Sequence, residues 1–281
     1  MKIKLLLTII TILLFNINIL YSMKFSPEFS IFMNIGASKI FTKTDVGLKK
    51  SDEYYYKWGI YSAYYDTIRG NFSLDFEAVL QLGVKNNINN NIVTGLTSLL
   101  EIGYSPYIIS TKYEGESGIN NYIYTDCLNL YSIVLGILEK IVFNNFSIGI
   151  GGGLLIPIAG LGTSNNIEYD NNSLVIPSKN KLSYYDIKRL FKVPVAPYIK
   201  ITGEYAFKPY KMDNAEMDFV LGVYLNYNFG MQYDVSILNE YTPQQTIPPT
   251  IGLFKGDIYH KYDYSNLDFG FTLGVSFRAL E

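Results

Sequence analysis

Cysteine, histidine and tryptophan are nearly missing from this chain, with one of each in 281 residues. One cysteine, Cys127, cannot form an intramolecular disulfide framework, and it lies far from the leader, so no lipid-attachment cysteine is present there. One histidine, His260, cannot supply the several nitrogen or sulfur ligands of a zinc site. No metal, cofactor or enzymatic activity is expected. In "GDIYHKYDY" His260 has Asp257 and Asp263 three positions away on either side, but no second motif completes a catalytic set, which predicts a solvated loop histidine. A net charge of -2 gives no electrostatic case for a nucleic-acid partner. Beyond the first two dozen residues no apolar run approaches the roughly 20 residues of a membrane helix.

What the chain has in excess is tyrosine and phenylalanine, 26 and 17 residues. Tyrosine joins an apolar ring to a wet tip, which suits a membrane interface, a β-rich core or an adhesive loop. The N-terminus, "MKIKLLLTIITILLFNINILYSMKF", opens with Lys2 and Lys4, continues with an apolar run and reaches the small residue Ser22. This pattern predicts a cleaved secretory signal peptide over residues 1–22, with an uncleaved membrane helix as the alternative. Residues 23–281 then form a single domain.

The stretch "NFSLDFEAVLQLGVK" shows how that domain is built. Phe72, Leu74, Phe76, Ala78, Leu80, Leu82 and Val84 share one parity, and Ser73, Asp75, Glu77, Val79, Gln81 and Gly83 share the other. A period of two marks a strand with one oily and one polar face. Similar segments recur at residues 29–41, 55–65, 92–104, 107–113, 128–140, 146–156, 195–207, 219–233 and 267–277. Together they predict an all-β, antiparallel up-and-down transmembrane barrel of ten strands, with eight and twelve as alternatives. In "FNNF" the pair Asn144-Asn145 supplies the left-handed conformations of a tight hairpin. Connectors after even strands are mostly short, and those after odd strands include the long polar ones, the pattern of short periplasmic turns and long surface loops. A soluble secreted β-sandwich or lipid-binding barrel, with its apolar face inward, is the rival fold.

"DFGFTLGVSF" near the C-terminus resembles the terminal strand of Gram-negative outer-membrane β-barrel proteins. Asp268, Gly270, Leu273, Val275 and Phe277 match the spacing of their assembly signal, and the tail Arg278–Glu281 follows. The bias toward Asn, Ile, Lys and Tyr is similar to small porin-like, surface-antigen barrels of diderm bacteria. The resemblance implies insertion by the barrel-assembly machinery and residence among outer-membrane lipids.

With the apolar parity facing lipid, Lys57, Asp75, Glu77, Glu101, Lys200, Glu204, Asp218, Asp268 and Arg278 point into the lumen. Acids outnumber bases, so an open lumen would be a narrow, cation-favouring pore. A plugged lumen would instead hold these charges as ion pairs, Lys200 and Glu204 sharing one face of one strand. Gly149, Gly151 and Gly153 share a face, which predicts a bend or room for a bulky tyrosine rather than a ligand groove. The long connectors, residues 157–194 and 234–266, carry Tyr184, Tyr185, Tyr241, Tyr259, Tyr262 and Tyr264 as candidate contacts to a host or extracellular ligand. "DIKRLF", residues 186–191, could fold back into the mouth as a short amphipathic turn. The function expected is a structural or adhesion-type surface protein, with the pore as its alternative.

Overall fold

The computed structural model describes residues 25–46, 64–70, 72–88, 92–117, 120–168, 178–234 and 259–279. Its strands are β1 (Phe25–Val46), β2 (Tyr64–Gly70), β3 (Phe72–Asn87), β4 (Gly95–Ser117), β5 (Asn120–Phe143), β6 (Phe146–Glu168), β7 (Ser178–Leu182), β8 (Ala196–Ala206), β9 (Tyr210–Lys211), β10 (Ala215–Asn228) and β11 (Tyr259–Ala279). One helix, α1 (Tyr184–Leu190), precedes β8. The strands β1-β3-β4-β5-β6-β8-β10-β11 pair antiparallel in chain order, and β11 pairs back onto β1. The sheet is therefore a closed, up-and-down barrel with a ring of eight, the smaller alternative to ten. Closure leaves no edge within the ring, so its backbone groups find partners without water.

Two differences from the sequence pattern account for the lower number. Residues 92–104 and 107–113 are parts of one strand, β4, which runs through Pro106. Proline was read as a break, but Pro106 lies where the β3 ladder has ended at Tyr104 and the β2 ladder has not yet begun at Thr111. A missing N–H is tolerated at such a place. Of the strand expected over 55–65, only Tyr64 and Tyr65 fall among the described residues. They belong to β2, which pairs with the far end of β4 outside the ring.

The wall is inside out relative to a soluble protein. Ile31, Met33 and Ile35 on β1, Ile199 and Ile201 on β8, and Phe271 and Leu273 on β11 are exposed, while Asn34, Glu77, Gln81, Lys200 and Thr272 are buried. That polarity excludes the secreted barrel with an inward apolar face. Aromatic residues flank the apolar band. Phe29 and Phe277 meet at 6.1 Å near one rim, and Tyr227 and Phe229 meet edge to face at 5.1 Å near the other. Between Phe29 and Phe41, β1 rises roughly 40 Å along its axis, about 30 Å once tilted by ~40°. This is the thickness of a bilayer core.

The connections sort by end. The rim that holds Phe25 and Ala279 also holds the Asn144–Asn145 turn, where Asn144 takes φ 54°, and the short β3–β4 and β8–β10 links. Lys85–Asn87, where the sequence pattern expects a connector at the long-loop end, are the end of β3 at this rim. At the opposite rim β4, β5 and β6 continue past the ring as a sheet flanked by β2 and β7. The two longest connectors, between β6 and β8 and between β10 and β11, leave from this end.

Candidate functional site

A chain of polar side chains crosses the lumen at mid-height. Lys200 Nζ lies 3.2 Å from Glu77 Oε1 and 3.3 Å from both carboxylate oxygens of Glu101. Lys200 is on β8 and Glu77 on β3, with three ring strands between them on either side, so this pair spans the barrel. Asn34 donates to Glu77 at 3.0 Å and itself accepts from Thr272 at 2.7 Å. Gln81 donates to Glu101 at 2.9 Å, and Lys140 donates to Gln81 at 3.1 Å and to Glu204 at 2.7 Å. Lys200 and Glu204, expected to share a local network, do not bond each other directly. Lys200 instead reaches across the lumen to Glu77, and Glu204 reaches Lys140 over one intervening strand, because strand stagger sets side chains of different strands at one height.

Two tyrosines complete this layer by lying across glycines. Tyr198 on β8 sits opposite Gly153 on β6, and an added Cβ on Gly136 of β5 would come within 2.2 Å of the Tyr198 hydroxyl. The glycine face of β6 thus makes room for a tyrosine. The same arrangement recurs at the closing seam: Tyr224 on β10 faces Gly270 on β11, and its hydroxyl lies 2.7 Å from where a Cβ on Gly36 would stand. Tyr198 donates to Glu101 at 3.3 Å and Tyr224 to Asp75 at 2.5 Å. Gly270 therefore has a packing role in the folded barrel, with Leu273, Val275 and Phe277 on the outer face of the same strand.

Toward the rim of the termini, Arg278 lies 3.2 Å from Asp218, 3.7 Å from Glu28 and 3.8 Å from Glu216. Above it is a cavity of about 120 Å³ bounded by Lys85, Lys140, Glu204 and Phe32 among others. Toward the opposite rim the filling becomes apolar. Tyr107, Ile109, Leu130, Val134, Leu155 and Tyr264 from the wall pack with Ile187, Phe191 and Met231 from the connectors.

Helix α1 delivers that plug. Ser183 caps it, accepting from the Asp186 amide while Asp186 accepts from the Ser183 backbone N–H at 2.8 Å, a capping box. Ile187 and Phe191 point inward and are buried, and Tyr184 and Tyr185 point outward and are exposed. The helix end is tied down by Lys192 N–H to the Gln232 carbonyl at 3.0 Å and Asp234 N–H to the Leu190 carbonyl at 2.8 Å. Gly230, at φ 72°, lets the chain after β10 turn inward. A side chain there would meet the Tyr264 carbonyl. Phe191 then packs on Tyr233 with ring centres 4.5 Å apart. Residues 186–191 do fold back into the mouth.

Hydrogen bonds from the Ser183 hydroxyl and backbone hold the Asp186 carboxyl below the usual carboxylate range. A lowered folded value means the cap is complete above the ordinary value of 3.8 and is lost as pH falls through the lowered one. A carboxyl-carbon NMR titration of Asp186 will show this displacement, and Ser183→Ala will reduce it, leaving the part that comes from the backbone N–H.

Of the residues assigned to the lumen, Asp75, Glu77, Glu101, Lys200, Glu204, Asp218 and Asp268 are buried inside it, and Arg278 lies at its rim. Lys57 lies outside the described residues. Lys140, Glu28 and Lys85 were missed. β5 carries apolar residues on both faces near Lys140, so its parity is ambiguous, and Glu28 precedes the clean alternation of β1. Of the surface tyrosines, Tyr264 is corrected: it is 3% exposed and packs against Tyr107 and Phe191. Its strand continues the inward parity beyond the expected loop boundary. Tyr259, His260 and Tyr262 likewise lie on β11 rather than in a loop, with their side chains outside the described set. Tyr241 is also outside it.

No protein-family model matches the chain. No curated protein matches it either. Among solved structures, the outer membrane protease OmpT from Escherichia coli aligns over 92% of this chain and 99% of its own, at 10% identity and TM-score 0.32. Neisserial surface protein A aligns over 87% and 96%, at 10% identity and TM-score 0.26. The outer membrane protein OprG from Pseudomonas aeruginosa aligns over 89% and 95%, at 9% identity and TM-score 0.25. The expectation of no enzymatic activity is corrected by the first of these: a protease is among the barrels this chain is similar to, so the architecture does not exclude catalysis. At these scores the likeness assigns no activity. The architecture rests on the closed ring itself, an antiparallel transmembrane β-barrel with an apolar outer belt and a polar, filled lumen.

Proposed function

We propose that this chain is an outer-membrane surface protein with a sealed lumen, acting through the segments at the rim opposite its termini in an adhesion-type role. One observation carries the reading. The lumen is closed twice, by the Lys200–Glu77 crossing and by the Ile187–Phe191 plug, while the longest connectors gather at one mouth. A leader over residues 1–22, removed on export, and insertion by the barrel-assembly machinery fit this reading. The outward mouth presents Tyr184 and Tyr185, amphipathic rings that make adaptable contacts at little entropic cost.

Planar-bilayer recording of the purified protein tests the sealed lumen. The expected trace shows no channel steps. A steady conductance that changes with Glu77→Gln would make the chain a pore. Adherence of cells expressing the protein to mammalian-cell surfaces tests the second half. Tyr184→Ser/Tyr185→Ser should lower it with the folded barrel unchanged, and equal adherence would remove these tyrosines from the contact.

A further inference from the structure

Most carboxylates of the lumen answer to a cation. Glu77 and Glu101 share Lys200, Glu204 has Lys140, and Asp218 has Arg278. Asp75 and Asp268 differ. Both are buried, 8% and 4% exposed, and the side chains that bond them are neutral. The Tyr224 hydroxyl donates to Asp75, and the amides of Asn228 and Asn266 donate to Asp268. Two carboxylates enclosed with only neutral donors call for neutralisation, by a cation or by a proton.

Both line one small cavity of about 10 Å³, together with Ser105, Asn226, Asn228, Tyr198, Leu155 and Glu77, the last already held by Lys200. A second observation points to its occupant. Asn226 is 6% exposed, and its Oδ1 meets no hydrogen-bond donor. Asn226 stands directly opposite Asp268 on the β10–β11 ladder. The Oδ1 of Asn266, whose amide nitrogen holds Asp268, is also without a donor. Of the two, Asn226 lines the cavity, and an acceptor oxygen buried there without a donor is what a cation would require.

We propose that Asp75, Asp268 and the Asn226 amide oxygen bind one hard divalent cation of the Ca²⁺ type inside the barrel. Two carboxylates match a double charge. The space suits a single ion or water, whereas Mg²⁺ keeps several waters and demands a near-ideal octahedron. Ca²⁺ accepts irregular sets of carboxylate, amide and hydroxyl oxygens. Among the described residues no three Asp, Glu, His or Cys side chains converge as a metal-binding group. The proposed set is two carboxylates and one amide oxygen, all hard donors, and metals that prefer nitrogen or sulfur are not served. The bound ion would tie β3 to β10 and β11 across the closing seam.

The full chain, refolded in detergent without calcium, is titrated with CaCl₂ alone by calorimetry and melted in Ca²⁺ or in chelator. One Ca²⁺ per barrel is expected, with a higher melting point in Ca²⁺ and little response to Mg²⁺. Asp75→Asn and Asp268→Asn should each lose the response. Asn226→Asp adds a carboxylate to the same wall and should raise affinity by roughly tenfold or more, since ligand charge tunes such sites. If the Asn variants do not fold, the Asn226→Asp affinity decides. Identical melting in Ca²⁺ and chelator, with no bound ion, would mean that a proton neutralises the pair and would overturn the site. So would a calcium response that survives in Asp75→Asn, or an Asn226→Asp protein that binds no more tightly.

Discussion

Lys200→Met will destabilise the barrel by about 3–5 kcal/mol, the cost of stranding buried charge by removing its partner. Lys200 is 2% exposed and serves two carboxylates, Glu77 and Glu101, whose residues are 4% and 0% exposed. Without it, two buried negative charges face each other near the centre of the lumen. The loss is read from urea unfolding in detergent, followed by the heat-modifiable shift of the folded band on a denaturing gel. The triple variant Lys200→Met/Glu77→Gln/Glu101→Gln should recover much of it, because a buried ion pair replaced whole by neutral groups is often near neutral. A single variant as stable as the starting protein would show that the cross-lumen contact contributes nothing.

Gly270→Val will keep most of the protein from closing. An added Cβ there stands 2.3 Å from the Ile35 carbonyl oxygen and 2.5 Å from the Gly36 Cα, both backbone atoms of the neighbouring strand. Backbone cannot rotate away as a side chain can, so the cost should exceed the ~1–3 kcal/mol of ordinary overpacking. The strain falls on the β1–β11 ladder, the pairing that closes the ring. The fraction of heat-modifiable band after refolding measures it, and Tyr224→Ala should not rescue it. Gly136→Ala makes the contrast. Its nearest obstruction is the Tyr198 hydroxyl at 2.2 Å, with the Gly152 carbonyl next at 3.1 Å. Tyr198→Phe should therefore restore folding there. A Gly270→Val barrel that closes normally would mean the seam can spread to admit a side chain.

These two sites mark the limit of what alternation alone carries. The run from Asn71 to Lys85 placed Asp75, Glu77 and Gln81 on one face because side-chain direction follows residue parity along a single strand. The Asn144–Asn145 turn was legible for the same local reason, since few residues accept a left-handed backbone. The parity of β8 and β11 likewise put Lys200, Glu204 and Asp268 on the polar face. The fold class, an antiparallel barrel with oil outside and charge inside, follows from these local patterns together with the physics of a wall that meets lipid.

Which charges meet was settled only by closure. Lys200 and Glu77 are 123 positions apart, and nothing along either strand says that their strands stand on opposite sides of the ring. Lys140 was missed because leucine and isoleucine occupy both faces of β5, and only ring closure decided which face was inner. Pro106 looks like a break until the neighbouring ladder is seen to stop beside it. Tyr264 looks like a loop residue until Gly230 brings Met231 and Tyr233 inward to meet it. Alternation is a property of one strand, and the sequence by itself determined that much. Ring size, stagger and the partners across the lumen belong to all the strands at once, and only the tertiary structure could decide them.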